Sequence, residues 1–402
     1  MKKIVCMLLS VAMLSAFVGC NENDKTKTES GVKTAAYVAS SQETINFGVI
    51  APISGKYSLV GAQMKNGIDT AVEELNAAGG LLGGKKISIK YADDKSEDST
   101  LAYDSLKNTV SAVIGPYKCS EASKVAALAE ADFMLMVMPN SVTENITYNR
   151  YNCFRSCYTS IAEGTNLAKY IYAEKKIAAN KIAVLYNDTE LHSTTMHDEL
   201  INAIEADKGI SLEVVYEGYY TNSTTDFADK VSEIISKSPD CVFVPDYYDN
   251  AYQIVKQLRA SGYNGAIVGS DAWDGIEDYA TDKTILNNCH YPTFYSANDK
   301  GATMKAKGFA EKYEKNFSKK PGGIAAQCYD TVMMLANAIK KCESAEINDI
   351  MAALTEMEFS GICGDLKLDG NGNAAKPTAF VECKDGSAHL IALINYINNK
   401  AN

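Results

Sequence analysis

The chain has little of what catalysis and nucleic-acid binding draw on. Its 402 residues hold four histidines, His192, His197, His290 and His389. None has the His-x-x-x-His or His-Glu-x-x-His spacing that sets two imidazoles on one helix face around a metal. Basic residues number 39 against 50 acidic ones, a formal net charge of -11. Phosphate backbones need a concentrated positive surface, so nucleic acid is excluded as a partner. There is no Gly-x-Ser-x-Gly elbow to present a nucleophilic serine and no Cys-x-x-Cys pair for zinc or thiol exchange. Gly79, Gly84 and Lys85 have the spacing of a phosphate loop, but Lys86 stands at the hydroxyl position and a strand follows where a helix is needed. The turn cluster Asp369 to Asn373 lacks the other ligands and the terminal glutamate of a calcium loop. No cofactor, metal or catalytic residue is expected, and nothing specifies an enzyme.

The longest apolar run, Ile4 to Val18, is too short to span a bilayer comfortably and follows Lys2 and Lys3, the pattern of an export signal over residues 1–19. Phe17-Val18-Gly19-Cys20 resembles a bacterial lipoprotein box, in which Cys20 becomes the lipidated first residue. Cleavage there would remove two lysines and hold a more acidic mature chain at a membrane surface. Residues 20–44 offer few apolar side chains and read as a lipid-anchored flexible tether. Of 11 cysteines, nine lie beyond Cys20. An odd, scattered set gives no disulfide framework, so these are read as small buried apolar residues.

What is present is a repeating strand–helix order, with 46% hydrophobic residues and length for two domains. Ile45 to Ala51 is a buried strand closed by Pro52. A loop from Ile53 to Gly61 leads into a helix with Ile68, Ala71, Val72 and Leu75 on one face, stopped by Asn76 to Gly80. Ile87, Ile89 and Tyr91 then alternate as a second strand. In an open parallel sheet, ligands sit against the loops that leave the carboxyl ends of strands, which places Ser54 where a small molecule would bind. The order repeats with helices Ser99 to Asn108 and Ala122 to Glu130 and strands Ala112 to Gly115 and Phe133 to Met138. Two more such loops result, Pro116 to Ser120 and Pro139 to Thr143. The first runs into a helix start that favours an anion, and Ser120 is read equally as ligand contact and as helix N-cap.

A second series follows Arg155: helices Glu163 to Lys175, Thr194 to Asp207, Asp226 to Lys237 and Asn250 to Ser261, between strands Lys181 to Tyr186, Ser211 to Tyr219, Cys241 to Val244 and Ala266 to Gly269. Its loops Asp246 to Asp249 and Ser270 to Asp274 set aromatics beside acids, as an ammonium site requires. The alternative is that Asp271 caps a helix and Trp273 fills an interlobe surface.

Phe47-Gly48-Val49-Ile50-Ala51-Pro52-Ile53-Ser54-Gly55, Leu75-Asn76-Ala77-Ala78-Gly79-Gly80, Val113-Ile114-Gly115-Pro116, Phe154-Arg155, Gln257 to Gly262 and Tyr329-Asp330 together resemble the type I periplasmic binding fold, specifically the branched-chain amino-acid-binding lipoproteins of ABC importers. The resemblance implies an α/β protein of two Rossmann-like lobes with parallel sheets, joined by a three-strand hinge near Phe154 to Ser156, Cys289 to Thr293 and Gly361 to Asp365. Lobe 1 would comprise 45–155 and 293–360, and lobe 2 156–292 and 361–397. It further implies a small ligand, an ABC permease as partner and closure of the lobes on binding. By position, Cys119 or Ser120 with Asn140, Ser141 and Thr143 would hold the ligand from lobe 1, and Tyr247 and Asp271 from lobe 2. The chain departs from the family at Leu191-His192, where Tyr-Gly is common, at Cys119, where serine is usual, and at Val60. These departures point away from leucine, isoleucine and valine and toward another amino acid or similar zwitterion. A sensory module with the same pocket is the alternative. An envelope hydrolase would need a nucleophile–base pair that the sequence does not display.

Overall fold

The computed structural model describes residues 37–172, 177–296 and 303–395. The export signal, Cys20 and the tether up to residue 36 lie outside them. The first strand, β1 (Thr44–Ala51), is buried along all but its first residue, as a strand covered by helices on both faces must be. It is followed by α1 (Ser58–Ala77), β2 (Lys86–Asp93), α2 (Ser99–Leu106), β3 (Ala112–Ile114), α3 (Cys119–Asp132), β4 (Met136–Met138) and β5 (Cys153–Arg155). These strands form one parallel sheet in the order β2-β1-β3-β4-β5. Gly61 lets α1 return over its own strand, because a Cβ there would lie 2.0 Å from the carbonyl oxygen of Pro52.

The second lobe runs through α4 (Ser160–Tyr172), β6 (Lys181–Asn187), α5 (Leu191–Ala206), β7 (Glu213–Tyr220), α6 (Ala228–Ser236), β8 (Cys241–Val244), α7 (Tyr248–Ala260), β9 (Ala266–Gly269), α8 (Ile276–Tyr279) and β10 (Cys289–Thr293). The chain continues through α9 (Met304–Phe317) and α10 (Gly323–Cys342), both packed on α1, then α11 (Ile347–Leu354) and the strands β11 (Glu358–Gly361), β12 (Gly364–Leu368) and β13 (Ala374–Ala375). It ends in β14 (Thr378–Lys384) and β15 (Ser387–Ile394). The second sheet has the order β15-β14-β10-β9-β8-β6-β7, parallel from β7 to β10, with β14 and β15 added antiparallel. The expected α/β fold of two parallel-sheet lobes is what forms, with a third, three-stranded sheet of β11, β12 and β13.

The third crossover lies elsewhere than expected. Gly361 pairs with Gly364 across a tight antiparallel turn, so Gly361 to Asp365 is a hairpin of the first lobe. Its position follows from Asp330 on α10, whose buried carboxylate accepts the N–H groups of Ile362 and Cys363 at 2.9 and 2.8 Å. The chain crosses back at Lys376 and Pro377, between β13 and β14. Buried Lys376 donates to Gln327 Oε1 at 2.7 Å, and Gln327 donates to Ser156 Oγ in the first crossover at 2.9 Å. The Lys376 ammonium also stands 5.7 Å from the ring of Phe294 in the second. One lysine thus links all three connections.

Residues 37–43, within the span read as tether, are docked on the first lobe. Tyr37 and Ala39 are buried, the Tyr37 hydroxyl accepts from Asn46, and Glu346 takes the N–H groups of Ala39 and Ser40. All nine described cysteines are free, and seven of them are buried. No described helix is long and apolar enough to cross a membrane.

Candidate functional site

The carboxyl ends of β3 and β4 face those of β6, β8 and β9. The loops leaving them bring Tyr117, Cys119 and Asn140 from one lobe against His192, Tyr247, Asp271 and Ala272 from the other, with Ile324 of α10 closing the side. Helices α3, α5, α7 and α10 all begin here, and in none does the N-cap residue's own side chain cap the first turn; Asp274 takes the first amide of α10, and the Tyr247 hydroxyl that of α3. Amide groups left uncapped at a helix start, with the dipole behind them, favour a negative group.

The lobes are tied across this cleft. Lys118 pairs with Glu190 at 2.6 Å and Lys56 with Asp249 at 2.5 Å. The Cys119 N–H donates to the Tyr247 hydroxyl at 3.4 Å, and the Gly323 N–H at the start of α10 donates to Asp274 at 2.9 Å. Tyr57 packs against Tyr117, Tyr247 and Tyr248 with ring centroids 5.3 to 5.9 Å apart. The space left inside the chamber is about 10 Å³, room for roughly one water.

Its electrostatics are set by burial. Asp271 and Glu163 are both enclosed, and Glu163 Oε1 accepts the Asp271 N–H at 2.9 Å. Burial raises both carboxyls, and Glu163 is raised further by the charge of Asp271, so Glu163 is the one that keeps its proton. His192 Nε2 is 2.8 Å from Ser270 Oγ and 3.5 Å from Asp271 Oδ1, while Nδ1 is 3.8 Å from Cys119 Sγ. Burial, aided by Lys118, lowers the imidazole to about 3, and burial pushes the Cys119 thiol up to about 11. Both are neutral near pH 7. A thiolate–imidazolium pair, the form that would attack a carbonyl, is therefore disfavoured. Asp271 Oδ1, Asn140 Oδ1, Thr143 Oγ1 and the Tyr117 hydroxyl are buried without a hydrogen-bond partner among the described residues. Unpaired buried polar atoms are costly; Asp271 Oδ1 and Asn140 Oδ1 are acceptors that a donor from outside the chain would satisfy, while the two hydroxyls can donate or accept. No group of three His, Cys, Asp or Glu among the described residues could hold a metal ion.

The expected residues divide. Cys119, Asn140, Tyr247 and Asp271 line the chamber, and Thr143 lies beside Cys119. Ser141 is buried behind them, its hydroxyl bonded to the carbonyls of Pro116 and Tyr117. Ser54 is exposed and outside the chamber, because Asp93 holds both its hydroxyl and its N–H. Ser120 is the second residue of α3 and caps nothing; Lys118 is the N-cap. Trp273 is core, its indole N–H donating to Val244 at 3.0 Å, and Asp271 caps no α-helix but opens a short 3-10 turn. His192, Glu163 and Tyr117 are added by the structure. Arg155 is a further addition: fully buried, it donates to the carbonyls of Ser141, Val142 and Thr143 at 2.5 to 3.1 Å and so shapes the Asn140 to Thr143 loop from behind.

A family model described as periplasmic binding protein matches residues 44–388. The Leu/Ile/Val-binding protein BraC3 of Rhizobium johnstonii is 27% identical over 333 residues, 82% of this chain and 88% of that one. The crystal structure of a leucine binding protein, LivK, from Thermotoga maritima superposes with a TM-score of 0.80 at 25% identity, covering 88% of this chain and 99% of that one. A solute binding protein of an ABC transporter from R. palustris, in complex with benzoate, shares the fold at a TM-score of 0.77 and 20% identity, covering 89% of this chain and 98% of that one. By the span of the family match, by its relatives and by its two-lobed fold, the chain belongs to the periplasmic binding protein family.

Proposed function

We propose that this protein is an extracytoplasmic solute receptor of an ABC importer, anchored through a lipid on Cys20, that captures an amino acid between its lobes. The observation that carries the reading is the pairing of unpaired acceptors with uncapped donors in one chamber. Asp271 Oδ1 and Asn140 Oδ1 call for an ammonium group, and the first turn of α3, which its N-cap Lys118 leaves uncapped, favours a carboxylate. An α-amino acid carries both groups on one carbon. An aromatic carboxylate such as benzoate offers acceptors only and gives Asn140 Oδ1 and an ionised Asp271 no donor. The neutral Cys119–His192 pair supports binding without turnover.

A thermal-shift panel of amino acids and aromatic carboxylates tests this. One amino acid is expected to stabilise the protein by about 2.7 kcal/mol at roughly a hundredfold excess over its Kd. A shift from benzoate and from no amino acid would overturn the reading. The same panel carries a pH signature. Asp271 holds its proton more tightly than a solvated carboxyl, and an ammonium favours its ionised form, so binding releases a proton and strengthens as pH rises. Affinity is expected to increase between about pH 6 and 8, by up to about tenfold per pH unit. A flat profile over that range would contradict the placement of the ammonium on Asp271.

A further inference from the structure

His192 stands between the two poles of the chamber. Its ring is the group that reaches Cys119 at the start of α3 on one side, at 3.8 Å, and Ser270 and Asp271 on the other, at 2.8 and 3.5 Å. It is 2% exposed. The other large side chains there are fixed by separate duties. Tyr117 and Tyr247 belong to the tyrosine cluster around Tyr57, their own centroids 5.4 Å apart, and the Tyr247 hydroxyl holds the Cys119 N–H. With the lobes tied by Lys118–Glu190 and Lys56–Asp249, about 10 Å³ is left between these walls.

Resting on the amino-acid reading above, we infer that His192 limits the size of the ligand: the lobes must part to admit any amino acid, and the imidazole held between the two poles disfavours branched side chains such as those of valine and leucine against glycine, alanine or serine. A ligand's ammonium and carboxylate are anchored at Asp271 and α3, so whatever its α-carbon carries must compete for the space the imidazole fills. Interiors are packed to near crystal density, and an added methylene displaces neighbours that have nowhere to go. The four carbons of a leucine side chain require His192 to leave its contacts with Ser270 and Cys119. The ring is uncharged, so it acts by volume and leaves the ligand's charges to the two poles.

Calorimetric titration of glycine, alanine, serine, valine and leucine into the wild-type protein and into His192→Ala tests this directly. The wild type is expected to bind one of the first three at least about tenfold tighter than leucine, the discrimination one or more methylenes gives in a tight pocket. His192→Ala is expected to gain leucine or valine affinity by a similar factor while losing affinity for the small ligand. A gain for larger ligands is not what a merely destabilised protein shows. If His192→Ala fails to fold, the wild-type ranking alone decides. Leucine or valine binding to the wild type as tightly as alanine, or an unchanged ratio in His192→Ala, would overturn the inference. Binding of no amino acid to either protein would instead overturn the amino-acid reading, and the size limit with it.

Discussion

Asp271→Asn is expected to lower amino-acid affinity by a factor of about 30 to several thousand, the 2–5 kcal/mol that truncating one side of a buried charge pair costs. Asparagine keeps the shape of the side chain, and it can still face His192 and Ser270. It cannot ionise, so a bound ammonium would be buried without a counter-charge, against the backdrop of a Glu163 that remains protonated. The unliganded variant should melt no lower than the wild type, because the substitution removes a carboxyl that burial already disfavours. Calorimetry gives the affinity and thermal melting gives the stability. An Asp271→Asn protein that binds its amino acid as the wild type does would remove Asp271 from the site.

Arg155→Met is expected to destabilise the protein by about 3–5 kcal/mol and to weaken ligand binding beyond what stability explains. Methionine replaces the stem of the side chain but none of its donors. The carbonyls of Ser141, Val142 and Thr143 and the hydroxyl of Thr147 would lose their bonds inside the first lobe. Buried acceptors left unsatisfied cost roughly 1–3 kcal/mol each, with partial relief from rearrangement. That rearrangement falls on the loop carrying Asn140 and Thr143, so the ligand's surroundings shift with it. Chemical denaturation with the ligand absent and present separates the two effects. A variant as stable as the wild type would show that Arg155 does not hold the loop.

The strands were legible because buried parallel strands are continuous apolar runs, and the loops after them followed from the order of the elements. The loops of Cys119, Asn140, Tyr247 and Asp271 were found in that way. Helix starts were less legible. Sequence patterning begins α3, α5 and α7 at Ala122, Thr194 and Asn250, whereas they start at Cys119, Leu191 and Tyr248. Start signals rely on a capping Ser, Asp, Asn or Thr. The N-caps here are Lys118, Glu190 and Tyr247, which give no side-chain cap bond. The early starts are what carry Cys119 and His192 into the cleft, where the Cys119 amide meets the Tyr247 hydroxyl. Pairings between distant segments were not legible at all. Ser54 is held by Asp93 and Asp271 by Glu163, 39 and 108 residues away along the chain, and neither spacing belongs to a local pattern. The Gly361–Gly364 hairpin was hidden likewise, since Asp330, which pins its turn, comes 32 residues before Ile362.

The most direct test of a zwitterion held between Asp271 and α3 is calorimetric titration of the bound amino acid against its des-amino analogue, the same carbon skeleton carrying the carboxylate alone. The account predicts that the des-amino acid loses at least about a hundredfold in affinity above about pH 8, where Asp271 is ionised, because it forgoes the ion pair with Asp271 and gives Asn140 Oδ1 no donor. Equal affinity for the two would mean that the chamber reads only the carboxylate, and the assignment of Asp271 as the ammonium partner would be wrong.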